Sequence, residues 1–438
     1  MLVHSDQDYG VLKAAQSELQ LHAGHVPDAG FYQGKLQAVW ARARQSAHYA
    51  TIGEYSFTAF QQLPPTSKAL LKAQPLSFCT VQLGEAAKYY ATTGTTGEPT
   101  PTPRLKEDII WNAVSVASHW RAVLHPGARV ANLMPSDVVP VGDLIANVCE
   151  YLDVSHVRLY PFTTGITDWE RVCSTFATYR PSVMFIAPGV LVQLTRYLKQ
   201  RELLQTFAQS VRSIMLLGEV NTGPFRQRLA RWWQCEVFDA SYGSTETGTL
   251  AAVGEDRQMH LATATNYFEL LLPDGRLVAP ASGLTGRLVV TPLNLYARPL
   301  LRLDTGDSVT ITAPWEPGRV SPTVLINGRD SDSIVVDGVG LEVRAVEEVV
   351  YGTCDATGYI IEVDRQSDSA ALILERDVTW DSNQEVYLQA QLIERAEQHI
   401  GLRWSRVMFV NNLSALNKSG ASQKSWKKTN LRFVGGQP

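Results

Sequence analysis

The sequence predicts an α/β fold with a large N-terminal part and a small α+β C-terminal unit, and three observations predict it. From about Ala91 onward, apolar runs of strand character alternate with amphipathic segments at helical spacing. After Met259 this alternation gives way to a β-rich stretch punctuated by turn residues. From Asn327 a further set of short apolar strands and one long helical pattern closes the chain. With 438 residues, 45% hydrophobic and 19% charged, the chain has the length and apolar content for more than one folded domain.

The first hundred residues read as mainly helical. Buried strands are expected at "ARVANLM" (Ala128 to Met134), "SVMFIAP" (Ser182 to Pro188), "SIMLLGE" (Ser213 to Glu219) and "EVFDASYG" (Glu236 to Gly243). Between them, "VLVQLTRYLKQRELLQTFAQS" and "GPFRQRLARWWQ" carry helical periodicity. Several strand ends run into Gly, Pro or Ser, where open α/β sheets place ligands. "NYFELLLPDGRLV" has the alternation and the Asp274-Gly275 turn of a hairpin, and "GRLVVTPL" and "PLLRLDTGDSVTIT" continue the β-rich part. The C-terminal unit contains "SIVVDGVGLEV", "GYIIEV", "AALILE" and the helical "NQEVYLQAQLIERAEQHIG", with the main boundary near Arg329 to Asp332.

Charge and cysteine usage exclude several functions. A net charge of −4 without a Lys/Arg block argues against nucleic acid as a partner. The N-terminus "MLVHSDQDYG" lacks a basic flank followed by an apolar core, and no run is apolar and long enough to cross a bilayer, so the expectation is a cytoplasmic protein with no membrane partner. The five cysteines are scattered without CxxC spacing, which fits reduced, mostly buried thiols better than disulfides or a zinc site.

Five motifs carry the candidate chemistry. In "YYATTGTTGEPTPTPR", Thr92, Thr93, Gly94, Thr95, Thr96 and Gly97 offer hydroxyls and backbone N–H groups on a glycine-permitted bend, a cradle for polyphosphate or simply a polar turn. Glu98 and Pro99 follow Gly97 where a Walker loop needs Lys and Ser/Thr. In "ASYGSTETG", Tyr242 gives a flat face for a purine, Gly243 the bend, Ser244 and Thr245 hydroxyls, and Glu246 a hard oxygen ligand for Mg²⁺. In "RLDTGDSV", Asp307 suits a ribose diol, although a lone "TGD" also reads as a hairpin turn. The remaining two are "INGRDSDSIVVDGVGLEV" and the basic "NKSGASQKSWKKTNLRF", which alone reads as a solvated end.

In order and spacing these motifs resemble the adenylate-forming superfamily of acyl-CoA synthetases, adenylation domains and luciferases, and most closely its phenylacetate-CoA ligase branch, from about Leu63 to Arg432. "LPPTSKALLKAQP", "LLGEV" and "MHLATATNYFEL" resemble further elements of that branch. In "KSWKKTNLR" the lysine followed by Lys427 and Arg432 resembles the family's C-terminal pattern and marks Lys424 as its catalytic lysine. The resemblance implies an N-terminal adenylate-forming domain over 1–329, with doubly wound mixed sheets and a β-rich subdomain, and a small mobile α+β lid domain over 330–438. It implies ATP, Mg²⁺ and a CoA or phosphopantetheine thiol as cofactors and co-substrate, a small carboxylic acid as substrate, and the family's habits of carrier-protein partners and homodimers.

The roles implied are as follows. Lys424, Thr245 and Glu246 serve catalysis, the 92–97 loop holds the β,γ-phosphates, and Gly243 and Ser244 belong to the nucleotide-binding set. Asp307 and Arg329 bind ribose, while Tyr242, Gly218 and Glu219 bracket adenine. The family's Asp or Lys hinge is Ser331 here, and Ala240 stands where Asn or Asp is usual. Segments near Ser136 to Leu144, Ala187 to Leu191 and Leu217 to Glu219 are expected around the acyl group, leaning to an aryl or other hydrophobic acid, with Asp137 and Asp143 as alternative partners for an amino group. An amide synthetase and a non-catalytic nucleotide-binding relative are the competing readings.

Overall fold

The computed structural model describes residues 2–22, 24–92, 99–218, 221–329, 334–413 and 430–435, with the backbone alone at 329. They form two compact units, each made of two chain segments: Met1–Arg158 with Asp239–Asn327, and Leu159–Phe238 with Gly328–Pro438. Among the described residues no helix is long and apolar enough to cross a membrane.

The first unit is built on a six-stranded sheet. Its path runs Thr66–Ser67, Leu303–Ile311, Thr285–Pro292, Asn266–Leu271 and Leu277–Val278, with Val324–Arg329 also paired to Leu303–Ile311. Register places Phe268 opposite Val290 and Val290 opposite Leu303, all fully buried. The Ala29–Ala43 helix covers this sheet because Tyr32, Leu36, Val39, Trp40 and Ala43 fall on one face at helical spacing. Asp28 caps it by accepting from the Phe31 N–H. The expected hairpin at Asp274-Gly275 is present, with Gly275 at φ +84° and Leu271 paired to Leu277.

A three-stranded sheet, Met259–Leu261, Gly248–Val253 and Ser241–Ser244, lies in the same unit, as does the hairpin of Lys88–Ala91 with Pro101–Arg104. The buried Lys106–Trp120 helix packs on Gly248–Val253. "EVFDASYG" is two strands rather than one: Glu236–Asp239 and Ser241–Ser244 meet at Ala240, whose carbonyl accepts from Trp120 Nε1 at 2.9 Å and from the Val253 N–H at 3.0 Å. Those two donors fix the break.

In the second unit Val183–Ile186 and Ser213–Leu216 pair in parallel, every residue buried, as continuous apolar strands should. The long helical pattern between them divides into Pro188–Gln200 and Leu204–Ala208, separated where Glu202 takes φ +58°. Gly223–Trp233 follows as expected. The C-terminal segment forms a sheet in the order Arg406–Val410, Ser369–Glu375, Gly358–Asp364, Leu431–Val434, with an antiparallel centre and parallel outer pairs. Val343–Thr353 and Glu385–His399 pack against each other. "VVDGVG" makes a two-residue hairpin with Asp337 at φ +50° and Gly338 at φ +72°, the left-handed pair that such turns require. The cysteines are free, Cys149 and Cys354 buried and the other three half-buried.

Candidate functional site

The site in the first unit starts from the tight hairpin of Ser241–Ser244 with Gly248–Val253, whose turn carries Thr245, Glu246 and Thr247. The strands approach so closely that a Cβ on Gly243 would lie 2.2 Å from the Gly248 carbonyl oxygen, so only glycine fits at 243. Ser244 ties the turn by accepting from the Thr247 N–H at 3.2 Å and sharing a hydrogen bond with its hydroxyl at 3.0 Å. Gly248 leaves the turn at φ +77°, and Asn112 accepts from the next N–H, that of Thr249, at 3.0 Å. All three turn residues are buried.

Burial would push the Glu246 carboxyl up. The charges of Lys68 and Arg298, its own backbone N–H and the Ser244 hydroxyl outweigh that, and the net effect holds it below the ordinary glutamate value. Glu246 is therefore a buried carboxylate that stays ionised. Among the described residues no three His, Cys, Asp or Glu side chains gather into a metal cage. This donor set fits Mg²⁺ accompanying a polyphosphate, because that ion takes one or two carboxylates and fills its shell with water and phosphate oxygens.

Asp307 lies in a bulge rather than a hairpin turn. Arg287 pairs with Ser308 and Val289 with Asp304, so the residues between Asp304 and Ser308 crowd opposite Leu288 alone. Gly306 absorbs the extra length at φ +69°, Asp304 accepts from its N–H, and the Thr305 hydroxyl donates to the Leu288 carbonyl. The bulge brings Asp307 to the hairpin, where the Tyr242 hydroxyl donates to its Oδ2 at 2.7 Å. Two residues from separate motifs thus share one point.

The strands flanking the threonine loop close on each other through Thr92 and Thr100: the Thr92 N–H donates to the Thr100 carbonyl, and the Thr92 hydroxyl accepts from the Thr100 N–H at 3.0 Å. Two arginines hold this stem. Arg298 donates to the Pro101 carbonyl and to the Thr102 hydroxyl. Arg104, at the strand end, donates through Nη2 to the carbonyls of Thr245 at 2.8 Å and Glu246 at 3.0 Å.

No family model matches the chain. It is 24% identical over 397 residues to the phenylacetate-coenzyme A ligase of Escherichia coli, covering 85% of this chain and 86% of that enzyme. The phenylacetate-coenzyme A ligase of Thermus thermophilus is 27% identical over 299 residues, 66% of this chain and 65% of that one. Among solved structures, 2-hydroxyisobutyryl-CoA ligase in its postadenylation state with 2-HIB-AMP superposes with a TM-score of 0.79 at 18% identity, over 95% of this chain and 92% of that one. The chain is a relative of the phenylacetate-coenzyme A ligases and has the adenylate-forming fold.

Of the residues that the phenylacetate-CoA ligase resemblance marks, the first unit brings together Tyr242, Gly243, Ser244, Thr245, Glu246 and Asp307. It holds Thr92 at the loop stem. Gly218 belongs to the second unit, exposed at the end of Ser213–Leu216 with φ +95°. Arg329 is the last residue of the Val324–Arg329 strand. Thr93, Gly94, Thr95, Thr96, Gly97, Glu219, Ser331 and Lys424 lie outside the described residues.

Asp143 is unsuited to an amino group of a substrate. Lys88 Nζ at 2.7 Å and the Tyr90 hydroxyl at 3.0 Å already meet its Oδ2, and Arg158 meets Oδ1 at 3.3 Å. Sequence reasoning missed Arg104, Arg298 and Lys68. Lys68 and Arg104 stand inside motifs quoted above, and an arginine in the apolar run "YARPLL" is itself a signal, since a buried guanidinium needs a reason.

Proposed function

We propose that this protein is an ATP-dependent carboxylic acid ligase that activates an aryl or other hydrophobic acid as its acyl-adenylate and passes the acyl group to the thiol of coenzyme A. The substrate carboxylate oxygen attacks the α-phosphorus, the bond to pyrophosphate breaks, and the thiol sulfur then attacks the acyl carbon as AMP leaves. The observation that carries this reading is the 2.7 Å hydrogen bond from Tyr242 to Asp307, which joins the residues proposed for the two ends of one nucleoside beside the buried Glu246.

Tyr242 would stack the adenine, with Gly218 and Glu219 on its other side, while Asp307 and Arg329 take the ribose hydroxyls. The loop from Thr92 to Gly97 would orient the β- and γ-phosphates through hydroxyls and backbone N–H groups. Glu246 would hold Mg²⁺, which supplies neutralising charge on the polyphosphate. Thr245 and Lys424 would add hydrogen bonding and charge at the α-phosphate, where such displacement is governed by positioning and electrostatics. The chain would divide for catalysis into 1–329 and a mobile lid over 330–438 that delivers Lys424 and then withdraws it about Ser331.

The relatives' names favour coenzyme A and an arylacetic acid. The test is ATP–pyrophosphate exchange across a panel of arylacetic, benzoic and short hydroxy acids, followed by thioester formation with coenzyme A. Exchange that requires one acid class, with thioester product, is expected. ATP binding without exchange for any acid would contradict it.

A further inference from the structure

The reading above leaves unexplained why two arginines are buried side by side. Arg104 is 6% exposed and Arg298 is fully buried. Burial and the neighbouring Arg104 charge push the Arg298 guanidinium below the ordinary arginine value. Sequestering like-charged groups is costly, and well-packed apolar residues would hold the same space as well or better. Their acidic neighbours are Asp108 and Glu246. Asp108, however, is already committed to the backbone N–H groups of Leu105, Tyr296 and Ala297.

What the arginines grip is more telling than their charge. Arg298 holds Pro101 and Thr102, the first two residues after the loop stem. Arg104 ends that same strand and spans the carbonyls of the two residues, Thr245 and Glu246, that the reading assigns to the α-phosphate and the cation. One short strand thus runs from the Thr92–Thr100 stem to the Glu246 turn, about 10 Å of extended chain, with a guanidinium clamping each end. A guanidinium fork fixes distance and plane together, which an ammonium does not.

We infer that Arg104 and Arg298 are positioning residues that set the spacing between the Thr92–Thr100 stem and the Glu246 carboxylate, so that a metal–nucleotide meets both at once. The inference rests on the ligase reading and adds residues outside its motifs. It requires that loosening either clamp weakens the cooperation between metal and nucleotide more than it weakens nucleotide binding itself.

The experiment is calorimetric titration of the full chain with ATP, once with Mg²⁺ and once with a chelator, for the wild type, Arg104→Lys, Arg298→Lys and Thr102→Val. The last removes one acceptor of Arg298 with little change of shape and keeps the test open should a lysine variant fail to fold. In the wild type Mg²⁺ should tighten ATP by about tenfold. Each variant should lose most of that gain while its metal-free affinity stays within about twofold, and pyrophosphate exchange should fall in kcat with little change in KM for the acid. Folded variants that keep the full metal-dependent gain would overturn the inference alone. A wild-type chain that binds no ATP would overturn it together with the ligase reading.

Discussion

Tyr242 and Asp307 show what a single hydrogen bond can carry. Both are half-buried, and the bond fixes the tyrosine ring at the hairpin while orienting the carboxylate. Tyr242→Phe keeps the ring and removes the bond, a loss of about 1 kcal/mol. The expected outcome is roughly a fivefold rise in KM for ATP with kcat nearly unchanged, measured by pyrophosphate exchange. A kcat loss without a KM change would place Tyr242 in the chemical step instead. These residues are picked out in the sequence by the order and spacing of their motifs, since each motif alone also reads as a turn. The fate of Asp143 is not legible there, since Lys88, Tyr90 and Arg158 reach it from other stretches of chain.

The Glu246 hairpin depends on an approach that only a missing Cβ allows. Gly243→Ala would drive a methyl into the Gly248 carbonyl and should cost about 1–3 kcal/mol, through backbone displacement rather than lost contact. We expect a lower melting temperature and a fall in pyrophosphate exchange larger than the stability change accounts for. Gly34→Ala is the matched control: it sits within the Ala29–Ala43 helix with open space around it, and should raise stability by about 0.5–1 kcal/mol without touching exchange.

Elements of this kind are where sequence reasoning succeeds and fails for identifiable reasons. Val183–Ile186 and Ser213–Leu216 were legible because a parallel strand buried on both faces reads as a near-continuous apolar run. The break at Ala240 was not, because it is imposed by Trp120 from a distant helix. Likewise the bulge at Asp307 reads locally as a turn, and only its pairing with Arg287 and Val289 makes it a bulge. The arginine clamps join positions 141 and 197 residues apart, beyond any local pattern.

At the scale of the whole molecule, the proposed cycle requires the C-terminal segment to part from residues it packs against in the second unit. There Lys199 pairs with Asp377 at 2.6 Å, with side chains 11% and 3% exposed, and Arg196 pairs with Glu375. Arg228 stacks 4.0 Å from the Tyr351 ring centroid, and Arg231 meets Asp355 at 2.8 Å. Removing one member of a buried pair costs about 3–5 kcal/mol. Lys199→Met should therefore weaken this arrangement and raise the ratio of thioester formation to adenylation several-fold, with the half-reactions assayed separately. An unchanged ratio in a folded variant would show that these contacts persist through the cycle.

The central claim is that the tail delivers one lysine to the phosphorus for adenylation alone. Its most direct test is Lys424→Ala assayed in both half-reactions, using the acid that supports exchange in the wild type and the corresponding acyl-adenylate. Acid-dependent pyrophosphate exchange should fall about a hundredfold or more, while thioester formation from supplied acyl-adenylate stays close to wild type. Equal losses in the two half-reactions, or exchange that survives the substitution, would contradict the account.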